Sequence, residues 1–107
     1  YGTLPDEGWQ EYRSSLLARA LSRAGHRALW WISNFEHREK RFRAPSFECR
    51  RLDARTEIRI LPSSAYAGHV SLARIRYEQR FAAAFARRAG EEARPDLVVL
   101  AEPALFF

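Results

Sequence analysis

The feature that most constrains this chain is the junction "ALSRAGHRALWWIS". A helix-like amphipathic run stops at Gly25, and an uncharged apolar run begins only two residues later, after His26 and Arg27. A connection that short is a minimal αβ turn, and helices and strands joined in this way imply an α/β layer fold. Upstream, the apolar residues Trp9, Tyr12, Leu16, Leu17, Ala20, Leu21 and Ala24 recur every three or four positions, the stripe of a helix that buries one face. Asp6 and Glu7 precede it, Arg19 and Arg23 approach its end, and Gly25 is the expected stop. "RALWWIS" (Arg27 to Ser33) reads as a buried strand.

The rest of the chain repeats the alternation. Asn34 to Ser46 reads as a loop closed by Pro45. "FECRRLD" and "TEIRILP" read as two strands joined through Asp53-Ala54-Arg55; in the second, Ile58 and Ile60 alternate with Glu57 and Arg59, as in a strand with one solvated face. A helix is expected from about Val70 to Ala89, with Tyr77, Phe81, Ala84 and Phe85 on one face. "DLVVLAEP" (Asp96 to Pro103) has an almost wholly apolar centre and reads as a strand covered on both sides. The order helix, strand, strand, strand, helix, strand predicts a single α/β domain over residues 1–107, a Rossmann-like open, mostly parallel sheet with flanking helices.

Composition narrows the functional classes. No apolar run approaches the roughly 20 residues that span a bilayer. The lone Cys49 forms no internal disulfide, which suits a reducing compartment. The three histidines have no zinc-ligand spacing with Cys49 or a carboxylate, and no nucleophile elbow, dinucleotide fingerprint or phosphate-binding P-loop is present. No metal and no cofactor is expected. The net charge is +5, and of 18 basic residues only Lys40 is a lysine. Such a field attracts phosphates, nucleic acid or acidic head groups. The arginines are spread along the chain with acids beside most of them, which is unlike a nucleic-acid stripe, so no nucleic-acid partner is expected; a non-enzymatic basic module binding nucleic acid or acidic surfaces is the alternative reading. The chain lacks methionine and stops on "EPALFF", which reads as a piece of a longer protein.

The stretch "WWISNFEHREKRFR" carries the candidate chemistry, because it runs a buried strand directly into His37, Arg38, Lys40, Arg41 and Arg43. Loops at the carboxyl edge of open α/β sheets collect ligands. Leu4 to Trp9, Asn34 to Arg43 and Ala101 to Leu105 are expected to meet there. Arginine grips phosphate or carboxylate with paired hydrogen bonds, and His37 suits orienting a hydroxyl or moving a proton. A solvated charged loop, balanced in part by Glu36 and Glu39, is the plainer reading of the same residues. Gly8 opens a helix whose backbone N–H groups suit an anion, or simply permits a tight entry turn.

In order, "LPDEGWQEYRSSLLARALSRAGHRALWWISNFEHREKRFR", "SLARIRYEQRFA" and "RPDLVVLAEP" resemble the opening of family 4 retaining glycosyltransferases of GT-B architecture. The resemblance spans nearly the whole chain. It implies part of an N-terminal, acceptor-side domain. The complete enzyme would move a sugar from a nucleotide-sugar donor to a glycan or lipid-linked acceptor, the nucleotide-sugar being a substrate and not a cofactor. It implies that Gly8 and Trp9 lie in the glycine-containing loop near the donor diphosphate and acceptor. Asn34, His37, Lys40 and Arg43 match the loop after the second strand at the cleft mouth, and Glu102 with Pro103 the loop after the fourth. It implies no assigned catalytic base. The family's first strand would precede Tyr1 and stand between Arg27–Ser33 and Asp96–Ala101, and the C-terminal domain of the same chain would supply most donor contacts. The fragment alone is expected to be inactive. A cytoplasmic setting, including peripheral contact with the inner face of the membrane, is the corresponding expectation.

Overall fold

The computed structural model describes residues 4, 5, 7, 13–67 and 71–100. It is a small α/β domain with a mixed sheet and two helices, α1 (Arg13–Arg23) and α2 (Leu72–Ala89). β1 (Ala28–Ser33) pairs in parallel with β5 (Thr56–Leu61), from Ala28 opposite Thr56 to Ser33 opposite Leu61. β4 (Glu48–Arg51) pairs antiparallel with the other edge of β5, so the order is β1-β5-β4. A separate hairpin, β2 (Phe35–Glu36) and β3 (Arg41–Phe42), rises from the end of β1.

Local chemistry accounts for the ends of these elements. Gly25 has φ of 90°, a left-handed conformation open to glycine at little cost. It donates its N–H to Ser22 O, and His26 donates to Leu21 O, each at 3.0 Å, so two otherwise orphaned helix carbonyls are satisfied. The β4–β5 turn is held by Asp53, whose Oδ1 accepts the N–H groups of Arg55 and Thr56 at 2.8 Å each and the Ser22 hydroxyl at 2.9 Å. Ser71 caps α2 by accepting the Arg74 N–H.

The alternation in β5 is kept, with Ile58 and Ile60 buried, but the face of Glu57 and Arg59 is not the solvated one that was expected: both are half-buried, because α2 packs on that side of the sheet. The Ile face joins Leu4, Ile32 and Ala44 in one core cluster. On the other face Trp31 meets Phe85 of α2 edge-on with ring centroids 5.4 Å apart, and Tyr77 donates its hydroxyl to Ser33 Oγ at 2.7 Å.

Three further expectations need correction. The loop expected over Asn34 to Ser46 contains the β2–β3 hairpin, because Phe35 and Phe42 are register partners whose rings pack at 5.4 Å. The described part of the strand expected over Asp96 to Pro103, residues 96–100, is in no strand, and Leu97 and Leu100 are 74% and 54% exposed. A strand needs a hydrogen-bonding neighbour, and among the described residues none lies alongside. The part of the α1 stripe that is described is turned outward: Ser15 and Ala18 are buried while Leu16 and Leu17 are exposed. Small residues let the helix approach the hairpin turn, where Ser22 reaches Asp53.

Candidate functional site

β1 and β5 run parallel, so Ser33 and Leu61 mark one carboxyl edge. Three short segments are tied together beyond it. The first is the turn at Leu4 and Glu7, closed by Glu7 N–H to Leu4 O and Leu4 N–H to Glu7 Oε2, both 3.0 Å. The second is the hairpin with its flanks, residues 34–44. The third is the segment after β5, which carries Ser63 and Tyr66.

Asn34 is the central tie. Its Nδ2 donates to Ala44 O at 3.0 Å, closing the base of the hairpin. Its Oδ1 accepts the Ser63 N–H and hydroxyl, each at 2.9 Å. The side chain is buried, and both of its polar atoms are engaged in holding loops together. Arg43 makes a second tie. Its Nε lies 3.1 Å from Glu7 Oε1, and the two side chains are 1% and 7% exposed. Burial pushes the guanidinium below its ordinary value, and the carboxylates of Glu7 and Glu36 oppose that.

The hairpin turn is built by Glu36, which is buried. Its carboxylate accepts the Arg38 N–H at 2.9 Å and the Glu39 N–H. Burial resists its ionisation, but those two N–H groups and the nearby Arg43 charge outweigh it and hold the carboxyl below its usual range. Lys40 turns the chain with φ of 52°. Its Nζ stands 4.6 Å from the centroid of the Tyr66 ring, within cation–π range. Arg38, Lys40 and Arg41 are exposed at this tip.

His37 is the third tie, and its bonding has a direction. Ser33 Oγ donates to Phe35 O at 3.0 Å, so it must accept from the Tyr77 hydroxyl. Having given its proton to Ser33, Tyr77 accepts from His37 Nε2–H, at 3.3 Å. Nδ1 therefore carries no proton and accepts from the Tyr66 hydroxyl. The network thus assigns the neutral Nε2–H tautomer. Burial lowers the imidazole to about 4, and the Lys40 and Arg43 charges add to the effect. Burial also pushes Tyr77 up to about 12. At neutral pH this histidine links two tyrosines; neither ring nitrogen is left to serve a substrate as a base.

Of the residues singled out in the sequence, the structure brings Asn34, His37, Lys40 and Arg43 to one rim. Asn34, His37 and Arg43 hold that rim together, and Lys40 is the one of the four exposed at it. Gly8, Trp9 and Glu102 lie outside the described residues. Glu7, Ser33, Tyr66 and Tyr77 were not singled out as site residues. Tyr77 was read only as a residue of the packing face of α2, and Tyr66 only as part of a loop; no spacing in the sequence links either to His37, which lies 40 and 29 positions away respectively.

Among the described residues no group of three or more His, Cys, Asp and Glu side chains is placed to hold a metal ion, and no helix is long and apolar enough to cross a membrane. No protein-family model matches the chain, and neither a curated protein nor a solved structure matches it.

Proposed function

We propose that the chain is part of the acceptor-side domain of a retaining, nucleotide-sugar-dependent glycosyltransferase of GT-B architecture, its parallel pair belonging to a Rossmann-like sheet. The observation that carries the reading is the Glu7–Arg43 ion pair, because Glu7 directly precedes the Gly8–Trp9 loop and Arg43 closes the basic hairpin. The turn at Glu7 and the basic hairpin thus share a rim at the carboxyl edge of β1 and β5, where ligands of α/β sheets bind, and the resemblance assigns the stretches that contain them to a donor and acceptor cleft.

On this reading the work of the rim is positional. Lys40 offers an exposed point charge to the donor diphosphate, with Arg38 and Arg41 beside it. The resemblance would add Gly8, Trp9 and Glu102, which lie outside the described residues. Asn34, His37 and Arg43 keep the hairpin in place. Stabilising charge on the departing nucleotide diphosphate and holding the acceptor are what such a half-site contributes; the nucleotide-sugar is consumed as a substrate, and no cofactor is required.

The test is sugar transfer by the complete protein with a panel of nucleotide-sugars and with glycan and lipid-linked acceptors. Lys40→Gln is expected to lower kcat/KM for the donor about ten-fold with unchanged thermal stability, the scale of one exposed charge–phosphate contact. No transfer from any donor, or full activity in the variant, overturns the assignment. Tight, steeply salt-dependent binding to single-stranded DNA without sugar transfer supports the basic binding module instead.

A further inference from the structure

Glu57 is the hub of an arginine cluster at the amino edge of the sheet, the end opposite the rim. β1 and β5 begin there, and the antiparallel β4 ends there. Arg27 directly precedes β1, Arg55 directly precedes β5 and Arg51 closes β4, so each strand of this sheet brings an arginine to the same edge. Glu57 Oε1 lies 3.3 Å from Arg51 Nη2 and 3.8 Å from Arg27 Nη2, and its Oε2 lies 2.7 Å from Arg59 Nη1. Arg59 in turn places its Nε 3.1 Å from Glu92 Oε1. Arg55 donates to Gly25 O at 3.4 Å, which ties the β4–β5 turn to the turn between α1 and β1. The bond from Arg59, with the charges of Arg59, Arg27 and Arg51, holds the Glu57 carboxyl below its ordinary range.

The inner and outer members of this network differ. Arg59 and Glu57 are mostly covered, whereas the Arg27 and Arg51 side chains are 70% and 64% exposed. Exposed ion pairs contribute little to stability. What they do here is orient: two long, flexible side chains are drawn to one carboxylate oxygen, and ordering them in advance removes part of the cost of binding a ligand. The acids nearby are already engaged, Glu57 and Glu92 by Arg59 and Asp53 by the Arg55 and Thr56 N–H groups and the Ser22 hydroxyl.

We propose that Arg27 and Arg51 form an anion site, separate from the rim, that binds the phosphate group of a small molecule. A carboxylate is satisfied by the paired hydrogen bonds of one guanidinium. Two guanidinium groups side by side call for an anion with more oxygens and more charge, and a phosphate monoester brings three acceptor oxygens and a charge between −1 and −2 at neutral pH. Such a group spans both arginines from the solvent side while Glu57 keeps its place behind them. Arg55, on the neighbouring strand about 4.8 Å across the ladder, extends the cationic edge. The six residues of β1 set this edge roughly 20 Å from the rim, so a phosphate held here is not the one that Lys40 would meet. The inference uses no part of the rim and survives or fails independently of sugar transfer.

The test is titration calorimetry of the complete protein with inorganic phosphate and with methyl phosphate, a minimal monoester, at an ionic strength fixed with sodium chloride. Saturable binding at a single site is expected. Tighter binding of methyl phosphate assigns the site to a phosphorylated metabolite, and equal or tighter binding of inorganic phosphate assigns it to the free ion; both support the proposal. Arg27→Gln combined with Arg51→Gln is expected to weaken binding about ten-fold. Arg27→Lys combined with Arg51→Lys is expected to weaken it about three-fold, because an ammonium group keeps the charge and loses the fork. Both altered proteins should melt like the parent when no phosphate is present, since the changed side chains are exposed. Absence of saturable binding overturns the proposal, as does full affinity in either altered protein. Binding that is lost in Lys40→Gln and kept in the arginine variants places the anion at the rim and also overturns it.

Discussion

Arg43 and Glu7 face each other at 3.1 Å with both side chains almost closed to water, and through them a turn near the start of the chain is fastened to the hairpin that follows β1. An arginine in a run of basic residues reads from sequence as a hand held out to an anion. Here its ligand is internal, and the cations left facing solvent are its neighbours Arg38, Lys40 and Arg41.

Removing one member of that pair strands the other. Arg43→Ala and Glu7→Gln are each expected to lower the unfolding free energy by about 3 kcal/mol, the usual scale for breaking a buried ion pair from one side. The double change should cost clearly less than the sum, because it leaves no unpaired charge. Urea denaturation measures all three. Losses below about 1 kcal/mol, the scale of a solvated surface pair, would show that the two groups are not a buried tie.

The His37 network predicts a specific acid sensitivity. The folded protein keeps this imidazole neutral down to about pH 4, whereas an unfolded chain protonates it near about 6.5. Between those values the unfolded state binds more protons, so stability is complete above about pH 6.5 and declines as the pH falls toward 4. Glu36, held below its usual range, loses its contribution in the same direction at lower pH. Melting temperature against pH for the parent and for His37→Gln separates the two: the variant should start lower and lack the decline between about pH 6.5 and 4. An imidazole titrating near 6.5 by NMR in the folded protein would contradict the network.

Gly25 isolates a backbone effect. A methyl group there meets nothing within 4 Å, yet φ is 90°. Gly25→Ala should therefore destabilise by about 1 kcal/mol through backbone strain alone, with no change in packing. Chemical denaturation reads this directly. An alanine variant as stable as the parent would mean that the helix does not need a left-handed residue at its end.

Much of the fold was legible because it rests on contacts close in sequence. The stop at Gly25, the Asp53 turn and the Ile58–Ile60 alternation each follow from a few adjacent residues obeying backbone sterics and strand periodicity. The hairpin in 34–46 was hidden by its charge: a Phe35–Phe42 pair across a basic turn is too short to show a period of two. At the rim, residue type pointed to His37 and Arg43, and the family resemblance to Asn34 as well, but neither indicated that they hold the protein's own loops. Their partners Ser63, Tyr66, Tyr77 and Glu7 lie 29 to 40 positions away, and nothing local announces them.

The amino-acid order by itself determined where α1 stops, where β1, β5 and α2 run, and which of their faces are apolar. It did not determine what those faces meet. The α1 leucines and the apolar run at 97–100 carry the periodicity and composition of buried elements, yet both are exposed, because burial needs a second surface of matching shape. Pattern is a property of one segment, set by sterics over a few residues. Burial, pairing and the choice of an ion partner belong to two segments at once, and only the tertiary arrangement brings those together.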